Sequence, residues 1–200
     1  MRIAAHTAQK KGIPITLDLV GVGVSRFRMD FVQSLLSEIK IDVIKGNLSE
    51  ILAVMDHGRC EGGVEVTDEA CEEEVRMLVC WVAEEYNCIA VATGEKDYIG
   101  SVQESSIITG GHPMMKKVTG TGCMLSGLIC SFVAANTDDK FGAAMSALQC
   151  MKRAGEFAAD DMLKKAPESG YFMGNATYRD RIIDAVYRIL KSQNNRNETR

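Results

Sequence analysis

Several features that mark large classes of protein are missing from this sequence. The net charge is −4 and no stripe of lysine and arginine is visible, which excludes a general affinity for nucleic acid. The seven cysteines form no Cys-x-x-Cys pair, and no histidine lies close enough in sequence to suggest a zinc knuckle. The longest apolar run, residues 124–135, is too short to cross a bilayer, and the polar N-terminus does not resemble a signal peptide. We therefore expect neither nucleic-acid nor membrane partners.

The cysteines and the composition favour a single cytoplasmic domain. Several cysteines fall within apolar helical runs, where a free thiol behaves as a small hydrophobic group. Reduced thiols are typical of the cytoplasm. A chain of 200 residues with 46% hydrophobic content can bury one full core. We predict one domain over residues 1–191 and a frayed polar tail over 192–200.

Hydrophobic patterns alternate between strands and helices in the first half of the chain. They predict strands at 15–19, 41–45 and 88–93, a small side strand at Val64 and Val66, and a hairpin that joins 96–101 to 106–109. They predict helices at 1–11, 29–39, from Asn47 onward, 68–85, 123–135, 138–165 and 177–191. This alternation favours an α/β fold, a mostly parallel sheet with helices on both faces.

The segment from Val118 to Cys123, Val-Thr-Gly-Thr-Gly-Cys, has the sharpest chemical pattern. Its two glycines relax the backbone where a loop turns into a helix, so that consecutive N–H groups can converge on one point. The partial positive charge of a helix N-terminus makes this loop a candidate anion cradle, and the same field favours the thiolate of Cys123. A glycine-containing loop that leads into a buried helix with a structural cysteine explains the pattern equally well.

Polar side chains stand where the predicted strands end. Because ligands bind at the carboxyl ends of parallel strands, we expect Asp18, Lys45 and Thr93 to lie with the glycine loop at one edge of the sheet. Asp18 could hold a hydrated magnesium ion or close a turn. Lys45 and Thr93 could contact a phosphate, or be a solvated lysine and a turn residue. Glu50 stands three residues after Asn47, the spacing of a helix-capping pair, which accounts for it without a ligand.

Five segments of the chain follow one another in a distinctive order. They are Leu-Asp-x-Val-Gly-Val-Gly from Leu17, Val-Ile-Lys-Gly-Asn-x-Ser-Glu-Ile from Val43, Ala-Thr-Gly-Glu-x-Asp-Tyr from Ala92, Gly-His-Pro from Gly111 and Val-Thr-Gly-Thr-Gly-Cys-Met from Val118. In this order they resemble the hydroxyethylthiazole kinase family, the thiamine-salvage enzymes of the ribokinase-like superfamily. The likeness runs from residue 1 to about residue 190.

The resemblance implies a fold, an activity and a set of site residues. The fold is the ribokinase-like three-layer sandwich. The activity is transfer of the ATP γ-phosphate to the hydroxyl of 4-methyl-5-(2-hydroxyethyl)thiazole, with Mg²⁺ as cofactor and a homotrimer as the assembly of the full-length fold. By position, Cys123 matches the catalytic residue and Gly120 a substrate contact. The resemblance implies ATP contacts at Lys45, Asn47, Thr93, Thr121 and Gly122. It implies magnesium binding at Asp18 and Glu50.

The chain also departs from the family pattern. The family typically has Asp-Pro where this chain has Asp18-Leu19. It usually has arginine at the position of Lys45, and a lysine cannot make the bidentate phosphate contact of an arginine. An unlike sequence at 170–175 replaces the family's Gly-Pro-Gly-Ser-Phe. The family's N-terminal strands, which supply much of the thiazole pocket, have no counterpart, so we expect a partial domain.

Two other functions stay open on the sequence. One is a related ribokinase-like kinase or hydrate dehydratase, although aspartate is commoner than cysteine at the loop end in those enzymes. The other is a catalytically impaired or inactive paralogue or fragment that retains nucleotide or subunit binding. The lysine at position 45, the leucine at position 19 and the absent N-terminal strands favour this second alternative.

Overall fold

The computed structural model describes residues 1–58, 71–169 and 174–197. The strands are β1 Thr16–Asp18, β2 Val43–Asn47, β3 Ile89–Thr93, β4 Asp97–Gly100 and β5 Ser105–Ile108. The helices are α1 Arg2–Lys10, α2 Arg26–Glu38, α3 Leu48–Gly58, α4 Glu72–Tyr86, α5 Thr121–Ala135, α6 Lys140–Ser169 and α7 Asn175–Asn197, with short 3₁₀ turns at Val22–Val24 and Pro113–Lys117. The side strand predicted at Val64 and Val66 lies outside the described residues.

The strands form one mixed sheet in the order β1-β2-β3-β4-β5. The first three strands are parallel, with Asp18 opposite Lys45 and Asn47 opposite Thr93. Strands β4 and β5 form an antiparallel hairpin that extends the sheet from β3. The predicted α/β fold and the predicted hairpin are therefore confirmed. The carboxyl ends of the three parallel strands meet at one edge, which we call the active edge.

Helices cover both faces of the sheet and make three layers. Helices α2, α3 and α4 pack on one face around a core that includes Ile44, and α5, α6 and α7 pack on the other around a core that includes Val43. Successive side chains of a strand point to opposite faces. This alternation directs Lys45, two residues after Val43, toward the α5 layer, where the lysine meets the first turn of α5.

Two predictions about helix ends need correction. Helix α7 continues to Asn197, so that most of the tail predicted to be frayed from residue 192 is helical. No glycine or proline interrupts residues 192–197, so the helix can continue there although serine and asparagine are only moderate helix formers. Helix α2 begins at Arg26, before the predicted start at 29, because the extended residue Ser25 already turns the chain into the helix. None of the helices in the described ranges is long and apolar enough to cross a membrane.

Candidate active site

A buried lysine joins three elements at the active edge. The Lys45 ammonium lies 3.2 Å from Asp18 Oδ1 and 3.3 Å from Asp18 Oδ2, and it also donates to the Gly122 carbonyl at 3.2 Å. Lys45 is only 4% exposed, because the sheet and α5 enclose it. An ammonium has three N–H donors, and these three acceptors account for them. The ends of β1 and β2 are thereby tied to the N-terminus of α5.

Ser126, one turn after Gly122 on α5, completes this network. Its hydroxyl donates to Asp18 Oδ2 at 2.6 Å and lies 3.1 Å from the Gly122 carbonyl. This role was not predicted, because Ser126 stands inside an apolar run and its partner is 108 residues away. Asp18 is therefore neutralised by one cation and hydrogen-bonded by one hydroxyl.

The glycine loop has the geometry that the sequence predicts for an anion cradle. Gly120 is the N-cap of α5 with φ at +99°, a left-handed conformation in which an L side chain is strained. In the described part of the chain no side chain caps this helix, and the N–H groups of a first turn have no intrahelical partner. The Thr121 hydroxyl donates back to the Val118 carbonyl at 3.3 Å. Cys123 is exposed in the first turn of α5, so it is not a buried structural cysteine.

A cleft of about 570 Å³ opens beside this loop. Its walls are the β3–β4 loop, the β5–α5 connection, the start of α5 and the middle of α6. Three of the predicted ATP positions line it, namely Thr93, Thr121 and Gly122. The Thr93 hydroxyl donates to the Gly46 carbonyl at 3.1 Å and so belongs to the end of the sheet. The structure therefore joins the glycine loop and β3 in one cleft, while Lys45 lies behind Gly122.

Glu50 and Asn47 form the helix cap that their spacing predicts. Asn47 Oδ1 accepts the Glu50 N–H at 2.9 Å, and Glu50 Oε2 accepts the Asn47 N–H at 2.8 Å. The other carboxylate oxygen, Oε1, accepts the Gly21 N–H at 2.8 Å and holds the loop after β1. The capping interpretation of Glu50 is thus confirmed, and a second loop is attached to the same carboxylate.

The carboxylates at the active edge do not form a preformed metal cage. Among the described residues no group of three or more histidine, cysteine, aspartate or glutamate side chains stands close enough to hold a metal ion. The oxygens of Asp18 already accept from Lys45 and Ser126, and those of Glu50 accept backbone N–H groups. Magnesium often keeps several waters and binds through one or two carboxylates plus phosphates. The residues fit an ion held in that water-mediated way.

A second buried ion pair lies under the cleft and has no counterpart in the sequence predictions. Lys152 of α6 lies 3.2 Å from Asp97 Oδ1, and the two side chains are 10% and 5% exposed. The Lys152 ammonium also donates to the Gly94 and Glu95 carbonyls at 3.1 and 2.8 Å. Desolvation by burial raises the pKa of the Asp97 carboxyl, while Lys152 and the Gly94 N–H oppose that shift. This ion pair holds the loop that follows Thr93.

A family model described as the hydroxyethylthiazole kinase family matches residues 1–192. The chain belongs to this family. It is 33% identical over 189 residues to the hydroxyethylthiazole kinase of Clostridium botulinum, an alignment that covers 93% of this chain and 65% of the relative. The resemblance inferred from the motifs is confirmed.

Solved structures agree with this assignment. A hydroxyethylthiazole kinase structure from Pyrococcus horikoshii is 32% identical, with a TM-score of 0.73 and coverage of 93% of this chain and 64% of that one. A ribokinase-like superfamily protein from Enterococcus faecalis, 14% identical with a TM-score of 0.52, covers 85% of this chain and 62% of that one and shows the shared fold alone. The chain spans slightly less than two thirds of the length of these relatives.

Proposed function

We propose that this chain transfers the γ-phosphate of ATP to the hydroxyl of 4-methyl-5-(2-hydroxyethyl)thiazole. The observation that carries the proposal is the start of α5, where Thr121 and Gly122 of the uncapped first turn line the same cleft as Thr93. The next residue, Cys123, is exposed. Family membership supplies the substrate class, since the matching relatives are named hydroxyethylthiazole kinases. The family assignment and the geometry of the cleft support the same reaction.

In this proposal the glycine loop acts by position and charge. Phosphoryl transfer needs little covalent chemistry from the protein, and most catalysis comes from alignment and from donors aimed at the developing charge. The first-turn N–H groups of Thr121 and Gly122 are the donors that we assign to the transferring phosphoryl. Thr93 contacts the nucleotide from the opposite wall of the cleft. Gly120, whose surroundings leave space, contacts the thiazole alcohol.

Cys123 is the residue to which we assign the substrate hydroxyl. In this proposal the Cys123 sulfur acts as a thiolate that accepts the hydroxyl proton, the role of a general base. The proton passes from the alcohol to the Cys123 sulfur as the alcohol oxygen bonds to phosphorus and ADP leaves. The exposure of Cys123 leaves its sulfur accessible to a substrate.

Lys45, Asn47, Asp18 and Glu50 support the nucleotide end of the proposed site. Lys45 can donate to a phosphate only by giving up one of its three present acceptors. Two of these acceptors are oxygens of the same Asp18 carboxylate, so the lysine can release one of them and stay paired with Asp18. Magnesium, bound with the nucleotide, supplies neutralisation of the phosphate charge. Asp18 and Glu50 would hold it through waters. Asn47 ends β2 beside Thr93 and presents an exposed side chain there.

Substitution at Cys123 tests the proposal. We expect Cys123→Ala to reduce turnover of the thiazole alcohol by about a hundredfold, as loss of a general base does, while ATP affinity changes little. Cys123→Asp should retain activity, because a carboxylate can accept the same proton. Cys130→Ala, a second exposed cysteine of α5, is the matched control. Equal losses of turnover and ATP affinity in Cys123→Ala would contradict the assigned role.

The alternative of an inactive paralogue or fragment that retains nucleotide or subunit binding gives a different result. A ligand that binds only the native state raises its apparent stability. A thermal shift with magnesium-ATP but no phosphorylated thiazole would therefore select the alternative.

The homotrimer and the cytoplasmic location belong to the same proposal. Light scattering of the purified protein tests the first, and localisation of a tagged chain tests the second.

A further inference from the structure

Both backbone polar groups of Gly94, its N–H and its carbonyl, are bonded by the buried ion pair of Asp97 and Lys152. The Gly94 N–H donates to Asp97 Oδ1 at 3.0 Å, and the Gly94 carbonyl accepts from Lys152 at 3.1 Å. The next carbonyl, that of Glu95, accepts from the same ammonium at 2.8 Å. Gly94 directly follows Thr93, the predicted ATP contact at the end of β3. Thr93 itself is held by β2 through its bond to the Gly46 carbonyl, so the ion pair holds the residues that follow it in the wall of the cleft.

Lys152 has no donor left for a phosphate. Its three N–H groups are matched by the two carbonyls and by Asp97 Oδ1. Lys152 is only 8% exposed although it lines the cleft. A Cβ added at Gly111, on the other wall, would come within 3.0 Å of the Lys152 side chain. The lysine thus acts on the loops around it.

The ion pair is a poor candidate for a purely stabilising contact. Burying two charges carries a desolvation penalty that their attraction often fails to repay, and a well-packed apolar pair of similar volume is often as stable. The raised pKa of the Asp97 carboxyl has desolvation as its leading cause, which agrees with this penalty. What an apolar pair cannot supply is a donor for the two loop carbonyls and an acceptor for the Gly94 N–H.

We propose that Lys152 is a positioning residue for the nucleotide, which fixes the β3–β4 loop from Gly94 onward as the wall of the cleft beside Thr93. This inference rests on the proposed function for the identity of the ligand. It predicts that loss of Lys152 weakens ATP binding more than it slows the transfer step at saturating ATP. The carbonyl bonds carry this effect, and the charge of the pair does not.

A set of variants separates the two contributions. Lys152→Met removes the donors and leaves Asp97 buried without its cation. The double variant Lys152→Met with Asp97→Asn also lacks the donors, but it contains no unpaired charge and keeps an oxygen for the Gly94 N–H. Lys140→Met is the matched control, because Lys140 also belongs to α6 and pairs with Asp42 just before β2, at the opposite edge of the sheet. The 200-residue chain is used throughout.

The readouts are the Kd for magnesium-ATP from calorimetry, the KM and kcat for the thiazole alcohol, and the urea unfolding midpoint. We expect both variants at Lys152 to raise the Kd for ATP about tenfold with a smaller change in kcat, and the double variant to recover much of the lost stability. Lys140→Met should leave the Kd unchanged.

Recovery of the Kd together with stability in the double variant would overturn the proposal, as would a wild type that binds no ATP. If the wild type binds ATP without phosphorylating the alcohol, the proposed function fails, whereas the same pattern of Kd values still supports positioning.

Discussion

The Lys45 ammonium and the Asp18 carboxylate form a nearly enclosed pair, with Nζ 3.2 Å from Oδ1 and 3.3 Å from Oδ2. The lysine side chain is 5% exposed and the aspartate side chain 19%. The pair places a positive charge against the first turn of α5, where the lysine donates to the Gly122 carbonyl. It also neutralises the acidic residue that the resemblance assigns to magnesium.

Breaking this pair should destabilise the fold. In Lys45→Met, Asp18 loses its cation and the Gly122 carbonyl loses its donor, so we expect the free energy of unfolding to fall by about 3 kcal/mol. Lys45→Arg keeps the charge and should lose much less. Urea unfolding followed by circular dichroism measures both. A methionine variant as stable as wild type would show that the pair contributes nothing, and Lys45→Met combined with Asp18→Asn should be more stable than Lys45→Met alone.

Ser126 should contribute to stability through its bond to a charged partner. Hydrogen bonds to charged groups are typically stronger than those between neutral groups, so Ser126→Ala should cost about 1.5 kcal/mol. Ser131→Ala is the matched control, because the Ser131 hydroxyl lies on the same helix and bonds only the Gly127 carbonyl at 2.8 Å. We expect that control to change stability by less than about 0.5 kcal/mol. Equal unfolding midpoints for the two variants would contradict a special role for Ser126.

The strands and the active edge were predictable because local signals define them. Apolar runs with β-branched residues located the three parallel strands, and turn residues located the hairpin. Once the strands are parallel, the residues at their carboxyl ends must meet, which brings Asp18 and Thr93 to one edge. The Asn47–Glu50 cap was equally predictable, because its partners are three residues apart.

The supporting contacts were not predictable from single residues. Ser126 is one polar position in an apolar helix, and Lys152 is one lysine in a long amphipathic helix, so neither differs locally from a solvated residue. Their partners lie 108 and 57 residues away in the chain. The sequence also could not show that Lys45 has all its donors engaged within the protein. Such contacts depend on the tertiary packing of α5 and α6 on the sheet.

Two buried acids should make the protein less stable at alkaline pH. Desolvation raises the pKa of the Cys88 thiol from 9.0 to about 12 and that of the Tyr178 hydroxyl from 10.0 to about 12. Above their ordinary pKa values the unfolded chain loses these protons while the folded chain keeps them. Stability should therefore fall by about 1.4 kcal/mol per pH unit for each group, between about pH 9 and 12 for Cys88 and between about pH 10 and 12 for Tyr178.

Urea unfolding at pH 8 and pH 11 measures this slope. Tyr178→Phe removes one titrating group together with its 2.8 Å bond to the Gly155 carbonyl, so it should be less stable at pH 8 but lose less on going to pH 11. Cys88→Ala should flatten the slope in the same way. Unchanged slopes in both variants would mean that other groups cause the alkaline loss.

Gly120, the N-cap of α5, and Gly127, inside α5, should respond in opposite ways to substitution by alanine. A Cβ added at Gly120 or at Gly127 meets no atom within 4 Å, so crowding is absent at both positions. Gly120 has φ at +99°, and Gly127 lies within the helix. Gly120→Ala should therefore cost about 1–2 kcal/mol from backbone strain, whereas Gly127→Ala should stabilise the protein by about 0.5–1 kcal/mol. If the Gly120 variant relieves its strain by rotating the first turn, its N–H groups leave the cleft, and turnover of the thiazole alcohol should fall with stability. Turnover that stays at the wild-type level in Gly120→Ala, despite the lower unfolding midpoint, would show that the left-handed start of α5 is not needed for the reaction.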